Sequence, residues 1–427
     1  MRCTRTRRIL PPNGLALRPL CGATLRLVGQ RRRTTGLGVA FMLVTLVLVM
    51  TARAWQPFVA TDLGALGNGS SFALDISETG VAIGYSGSDA FRWTQAEGMV
   101  DLGTLGGGNS VAWAVNDWGT VAVGASMTAE NTQHAFVWTE TARMVDLGTL
   151  GRISAGSYAT GVNDSALVVG FSWYKMSEDY FAGYVTRGFV WTPTGGMADI
   201  GTFGGDTYPN AVNNNGLVVG TSYTEGNAAS HPFAWTQANG LIDLGSLGGR
   251  FGEALAVSDS GVVVGYSYTA GDVSYPHPFA WTRQSGMIDL GTLGTGTSGY
   301  ARAVNDDGVV VGYTSTAGND ALRAFRWTPA GGLSDLNPFD PRESYATGVS
   351  TDGLVVGNHF TADGGGLLGF AWTPADGMVD LDPLGGQYSQ IDSVTKNGIV
   401  LGFSYGGGSA GHATVWKAAR RGRGPRR

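Results

Sequence analysis

The sequence predicts an all-β fold: an eight-bladed β-propeller of four-stranded antiparallel blades. Three markers, each present eight times, predict it. A Trp ends an aromatic-x-Trp step at Trp93, Trp138, Trp191, Trp235, Trp281, Trp327 and Trp372, and a degenerate step at Trp416. An Asp-Leu-Gly-like step falls at Asp62, Asp101, Asp146, Asp199, Asp243, Asp289, Asp335 and Asp380. A Gly ends an apolar run at Gly84, Gly124, Gly170, Gly220, Gly265, Gly312, Gly357 and Gly402. Successive Trp residues lie 45, 53, 44, 46, 46, 45 and 44 positions apart. A fixed period in this range marks a solenoid, a propeller or an array.

The second copy shows the unit clearly. Strand a is predicted at Val111–Asn116. Asn116-Asp-Trp-Gly119 then suits a type I turn closed by a left-handed Gly. Strand b is predicted at Thr120–Ser126, where an unbroken Val/Ala run suits burial on both faces. Strand c, His134–Thr139, carries the Phe and the Trp. Strand d, Met144–Leu150, follows a short turn. These links are too short for parallel crossovers, so neighbours must pair antiparallel. Strand a is rich in small residues, as expected beside a crowded axis. The Phe–Trp pairs are then expected to fill the space between blades.

The ends of the chain carry a further expectation. Asp62 is a d marker with no c strand before it, and Trp416 is a c marker with no d strand after it. An N-terminal strand from Phe58–Leu66 would complete the last blade, closing the ring and removing two open edges. An open β-solenoid of the same phase is the alternative.

Composition sets the compartment. Residues 1–54 hold ten Arg and no acidic residue, then an apolar run at Gly36–Met50 and a small-x-small step at Ala52-Arg-Ala54. This is the pattern of a signal peptide with a long basic leader, in a run short for a membrane span. Residues 55–417 are expected to form one domain, and 418–427 a basic disordered tail. Both cysteines, Cys3 and Cys21, lie in the leader, so the mature chain has no disulfide chemistry. Of 28 Lys and Arg, ten belong to the leader, leaving 18 against 33 acidic residues. That excess of negative charge argues against a nucleic-acid partner.

The segments Asp101-Leu-Gly-Thr-Leu-Gly-Gly107, Ala114-Val-Asn-Asp117, Val121-Ala-Val-Gly124 and His134-Ala-Phe-Val-Trp-Thr139 resemble the HAF repeat. The resemblance runs from about Asp62 to Trp416. The His-Ala-Phe triplet itself stands only at His134; His-Pro-Phe replaces it at His231 and His277. The resemblance implies an exported bacterial protein with a repeat β fold. It implies no catalytic residues.

Residues repeated in every unit are poor candidates for a unique catalyst. The eight Trp and eight Asp are therefore read as structural. The Asp carboxylates are expected to bond backbone amides or the Thr hydroxyl after each Trp. Asp117, Asp164, Asp259, Asp306 and Asp352 are expected to form turns that make an acidic rim at one channel mouth. Calcium is the alternative there, although no loop has the dense oxygen ligands of a calcium loop. No other cofactor is expected. Gly402-Phe-Ser-Tyr-Gly406 matches a nucleophile elbow in letters, but no helix follows it. Four of the five His enter strand c on different blades, which argues against a shared metal.

Function is expected where the symmetry breaks. From the strand b Gly to the Trp, the units count 9, 14, 21, 15, 16, 15, 15 and 14 residues. The longest connection, Ser172–Tyr184, holds Trp173, Tyr174, Tyr180, Phe181 and Tyr184. These are the candidate binding residues, as an aromatic recognition loop on a rigid scaffold. Burial of those rings against a neighbouring blade is the alternative. The sequence thus reads as a secreted or envelope-associated, non-catalytic binding protein, with polysaccharide or another surface protein as partner. An extracellular hydrolase or lyase with a site in the propeller channel is the second reading.

Overall fold

The computed structural model describes residues 58–419, except 154, 180–182, 272–274, 320, 338–339, 341, 363 and 407–409. The expected signal peptide and nearly all of the expected tail lie outside the described residues. The described residues form eight four-stranded antiparallel blades. Two of these, the fourth and fifth, are joined by one parallel bridge between Ser230 and Phe251. No helix among the described residues is long and apolar enough to cross a membrane.

The ring closes as the sequence predicts. Strand Phe58–Asp62 pairs antiparallel with Gly411–Ala418, placing Ala60 opposite Trp416. It supplies strand d of the eighth blade. The inner a strands touch their neighbours all the way round, and Ser71–Ile76 of the first blade meets Gly385–Val394 of the eighth. The open solenoid is thereby excluded. Strand limits differ by a few residues from those predicted. In the second blade the four strands are Gly106–Val115, Val121–Thr128, Gln133–Thr139 and Arg143–Gly148. Strand a starts early because strand b runs on and keeps pairing with the Gly-rich stretch, as in Gly106 opposite Thr128.

Each sequence marker has a physical cause. The marker Gly faces a bulge in strand a. In the second blade the bulge lies between Ala112 and Ala114 and presses the Val111 carbonyl against Gly124. A Cβ on Gly124 would sit 2.0 Å from that oxygen, and on Gly265 it would sit 1.9 Å from Glu253 O. No side chain fits there, so the position is Gly in every blade. The marker Asp makes an Asx turn: Asp101 Oδ1 accepts the Gly103 amide at 2.8 Å, and Asp289 does the same with Gly291. The amide half of the expectation for these carboxylates holds. The Thr half does not: the Thr hydroxyl instead accepts an amide of the c–d turn, as Thr139 does from Ala142. In the hairpin register the Thr stands at the turn, Thr139 opposite Arg143, whereas the Asp stands opposite the Phe, Asp146 opposite Phe136.

The Phe of strand c is fully buried in seven blades, and the Trp is buried or half-buried in all eight. Each hydrophobic cluster spans two blades. Phe91 and Trp93 of the first blade, for example, pack with Leu401, Ala413 and Val415 of the eighth. Burying one Phe stabilises the seam by about 2–3 kcal/mol. A buried Ser at the start of strand a adds a polar clip. Ser71 Oγ accepts the Ala413 amide at 3.0 Å and donates to Gly64 O. Ser110 and Ser157 repeat the clip with Ala90 and Ala135.

Candidate functional site

The eight a–b turns surround one mouth of the channel. In each turn the fourth residue donates its amide to the first residue's carbonyl, as Gly119 does to Asn116 at 2.9 Å. That fourth residue is left-handed in every blade; seven are Gly, and the third blade tolerates Ala166 at φ 59. The first residue is Asn, Ser or Thr because its side chain must accept an amide of the returning strand, as Asn116 does from Val121.

The second turn residues form the rim. They are Glu78, Asp117, Asp164, Asn214, Asp259, Asp306, Thr351 and Lys396. Most donate their backbone amide to the next turn. Asp164 donates its amide to Asn214 Oδ1, Asn214 to Asp259 Oδ1, and Asp259 to Asp306 Oδ1, at 2.8–3.0 Å. Lys396 donates its amide to Glu78 Oε1 at 2.5 Å, and Glu78 to Asp117 O at 3.0 Å. Asp352 does not belong to this rim. It stands one place later, and its carboxylate takes the Ser350 hydroxyl at 2.5 Å.

Lys396 reaches over the mouth. Its Nζ lies 3.0 Å from Asp117 and 2.6 Å from Asp259, on the second and fifth blades. Asn214 Nδ2 bonds the same two carboxylates. Burial pushes Asp259 up, but the Lys396 and Asn214 bonds outweigh it and hold its carboxyl below the ordinary value. The expected acidic rim is therefore a hydrogen-bonded ring strapped by a lysine. A cavity of about 310 Å³ lies beneath it. Deeper in the wall, burial pushes the Asp75 carboxyl up to about 7, against amide bonds from Val115 and Ile76. Among the described residues, no group of three or more His, Cys, Asp or Glu side chains is placed to hold a metal.

The opposite mouth, on the b–c side, is aromatic. Strand a contributes Phe72, Tyr158, Tyr208, Tyr300 and Tyr345 at its second inward place. Strand b contributes rings on both sides of a buried Ser, as in Gly170-Phe-Ser-Trp173, Gly265-Tyr-Ser-Tyr268 and Gly402-Phe-Ser-Tyr405. The rings touch across blade seams: Phe171–Tyr208 at 5.3 Å, Tyr266–Tyr300 at 4.9 Å, Tyr313–Tyr345 at 5.1 Å and Phe72–Phe403 at 4.5 Å. Most are half-buried, and burial raises the phenols of Tyr158, Tyr223, Tyr266, Tyr300, Tyr345 and Tyr388. Ser404, the would-be elbow nucleophile, is buried and committed: its hydroxyl accepts the Leu384 amide and donates to Tyr388 O.

The candidate loop residues separate. Trp173 and Tyr174 do not lie in a loop; strand b of the third blade extends through Val168–Lys175. Trp173 joins the aromatic mouth, 5.2 Å from Tyr158, and its ring covers Gly156. Tyr174 points to the other face and packs on Gly151. Tyr184 begins strand c, 55% exposed, with the Lys175 ammonium 5.5 Å from its ring centre. Tyr180 and Phe181 lie outside the described residues. Strands b and c of this unit pair on to Lys175 opposite Tyr184, two pairs further than in the second blade. The sequence held a signal for the wider belt in the alternation Gly-aromatic-Ser-aromatic, which is spread over several blades.

All five His pair with the marker Asp. His134, His231, His277 and His412 reach Asp146, Asp243, Asp289 and Asp62 through Nδ1 at 2.8–3.0 Å. His359 reaches Asp380 through Nε2 at 2.8 Å. Each pair lies within one blade, joining strand c to strand d, or strand b to strand d at His359.

No protein-family model matches the chain, and no curated protein matches it in sequence. Solved structures with a similar fold include dipeptidyl peptidase 4 of Porphyromonas gingivalis, with TM-score 0.47 and 11% identity over 77% of this chain. This chain spans 56% of that enzyme. The β-propeller domain of the trilobed protease from Pyrococcus furiosus matches with TM-score 0.47 and 11% identity, over 73% of this chain and 96% of that one. A TolB from Agrobacterium tumefaciens matches with TM-score 0.35 and 12% identity, over 53% of this chain and 80% of that one. The propeller assignment rests on the strand pairing of the chain itself.

Proposed function

We propose that this chain is an exported, HAF-type binding protein without catalysis, and that its ligand enters the aromatic mouth. The observation that carries this reading is the belt of half-buried rings spanning blade seams at that mouth. Aromatic faces stack on the apolar faces of sugar rings, and phenol hydroxyls at the belt's edge can hydrogen-bond their hydroxyls. A polysaccharide is therefore the ligand class that suits it best. The other mouth supports the same direction, because the carboxylates of Glu78, Asp117, Asp259 and Asp306 are already engaged with turn amides, Asn214 or Lys396. A polysaccharide screen of the purified protein tests the reading. Binding weakened by Tyr300→Ala and by Tyr345→Ala, with the fold intact, is the expected result. A hit unaffected by both changes would place the ligand elsewhere, and a folded protein with no hit would remove the polysaccharide reading.

A second reading, a hydrolase or lyase, draws support from Asp75. A carboxyl raised to about 7 within a channel suits a general acid or base. Both its oxygens already accept backbone amides. Turnover by the wild type that is lost in Asp75→Asn would favour this reading.

A further inference from the structure

The seam between the eighth and first blades differs from the others. Two residues beyond the position of Phe72, Tyr300 and Tyr345 on strand a, six blades carry a neutral side chain and one carries Arg302; only the eighth carries an acid, Asp392. Asp392 lines a cavity of about 290 Å³ together with Phe72, Tyr85, Tyr388, Phe403 and Tyr405. Three of these rings form the corner of a box. Tyr388 and Tyr405 stand at 76°, Phe403 and Tyr405 at 84°, and Tyr388 and Phe403 at 78°, with centres 5.1–6.4 Å apart. Phe72 stacks on Phe403 at 4.5 Å.

The carboxylate of Asp392 accepts one bond from Gln390 Nε2 at 2.9 Å and makes no ion pair among the described residues. A desolvated carboxylate without a counter-ion is costly, and a cation would offset that cost. Burial pushes its carboxyl up, against the Gln390 bond. Aromatic faces attract cations, most effectively when the cation is large and weakly hydrated. A primary ammonium keeps its water more strongly than a methylated one. We propose that this seam pocket binds a quaternary or N-methylated ammonium group, with Asp392 as counter-ion and Tyr388, Phe403 and Tyr405 as walls. The proposal goes beyond the polysaccharide reading and stands whether or not the mouth takes a glycan.

Calorimetric titration of the purified protein with choline tests it. 3,3-Dimethylbutan-1-ol serves as the uncharged match and ammonium chloride as the small cation. Choline is expected to bind at least about tenfold more tightly than either. Asp392→Asn is expected to weaken choline by about tenfold or more, and Tyr405→Ala, at a 40% exposed side chain, by a similar factor. Phosphatidylcholine vesicles, with phosphatidylglycerol vesicles as reference, identify the source. Choline-competed binding to the first alone assigns a lipid headgroup; no vesicle binding assigns a free ligand. Equal binding of choline and its neutral match would overturn the proposal, as would no choline binding by the folded protein. Loss of choline binding alongside a retained glycan hit would leave the polysaccharide reading standing.

Discussion

The two mouths of the channel are built from the same eight repeats and do opposite things. At the a–b mouth, polar side chains turn on one another: Asn214, Asp259 and Asp306 each accept an amide from a neighbouring turn, and Lys396 spans the opening. At the b–c mouth, rings such as Tyr300, Tyr345 and Tyr405 remain half-buried or exposed. The difference teaches that charge at a propeller mouth is weak evidence for a site when backbone amides use it up. Rings with free faces are better evidence, because nothing in the fold fully covers them.

The comparison supposes a closed ring, so the largest expected effect comes from opening it. Deleting residues 58–66 removes strand d of the last blade and uncovers Trp416. The melting temperature should fall by about 10 °C or more, given the apolar surface exposed. An unchanged melting curve would show that the eighth blade does not need this strand. Gly265→Ala comes next. Its Cβ would meet Glu253 O at 1.9 Å, and the loss should be about 3 kcal/mol by chemical denaturation. A neutral result would mean the bulge yields easily.

Asp75 separates the channel wall from both mouths. Its folded pKa, about 7, lies above the unfolded value near 4. The folded state therefore holds the proton more tightly. The stability this contributes is complete below pH ~4 and is lost as pH rises through about 7. Asp75→Asn should flatten that decline, because the amide does not titrate, at the cost of setting its NH2 against the Val115 or Ile76 N–H. A parallel pH profile in the variant would show that Asp75 is not the cause. The smallest effect belongs to Lys396→Met. The ammonium is partly exposed, so its ion pairs contribute about 1 kcal/mol or less. Binding at the aromatic mouth should not change, and a weakened hit would join the mouths functionally.

Much of this fold was legible because each marker answers a local demand. Gly124 answers a carbonyl, Asp101 an amide two residues on, and Asn116 the amide of a returning strand. The unpaired markers Asp62 and Trp416 disclosed the closure for the same reason. The site was less legible. The Ser172–Tyr184 stretch stood out by length, but length showed neither that strand b continues through Trp173 and Tyr174 nor that the two rings point to opposite faces. Asp352 looked like a rim residue because spacing places it within a turn, but one position along a turn changes which way a side chain faces. Asp392 gave no signal in sequence; its company of rings comes from the first and eighth blades, which are far apart in the chain.

The most direct test sets one mouth against the other. A polysaccharide hit would be titrated calorimetrically against two double variants: Tyr300→Ala with Tyr345→Ala at the aromatic mouth, and Asp117→Asn with Asp306→Asn at the rim. The first pair is expected to weaken binding by about tenfold or more, and the second to leave it within about twofold. Loss of binding in the rim pair, with the aromatic pair unaffected, would contradict the assignment of the two mouths.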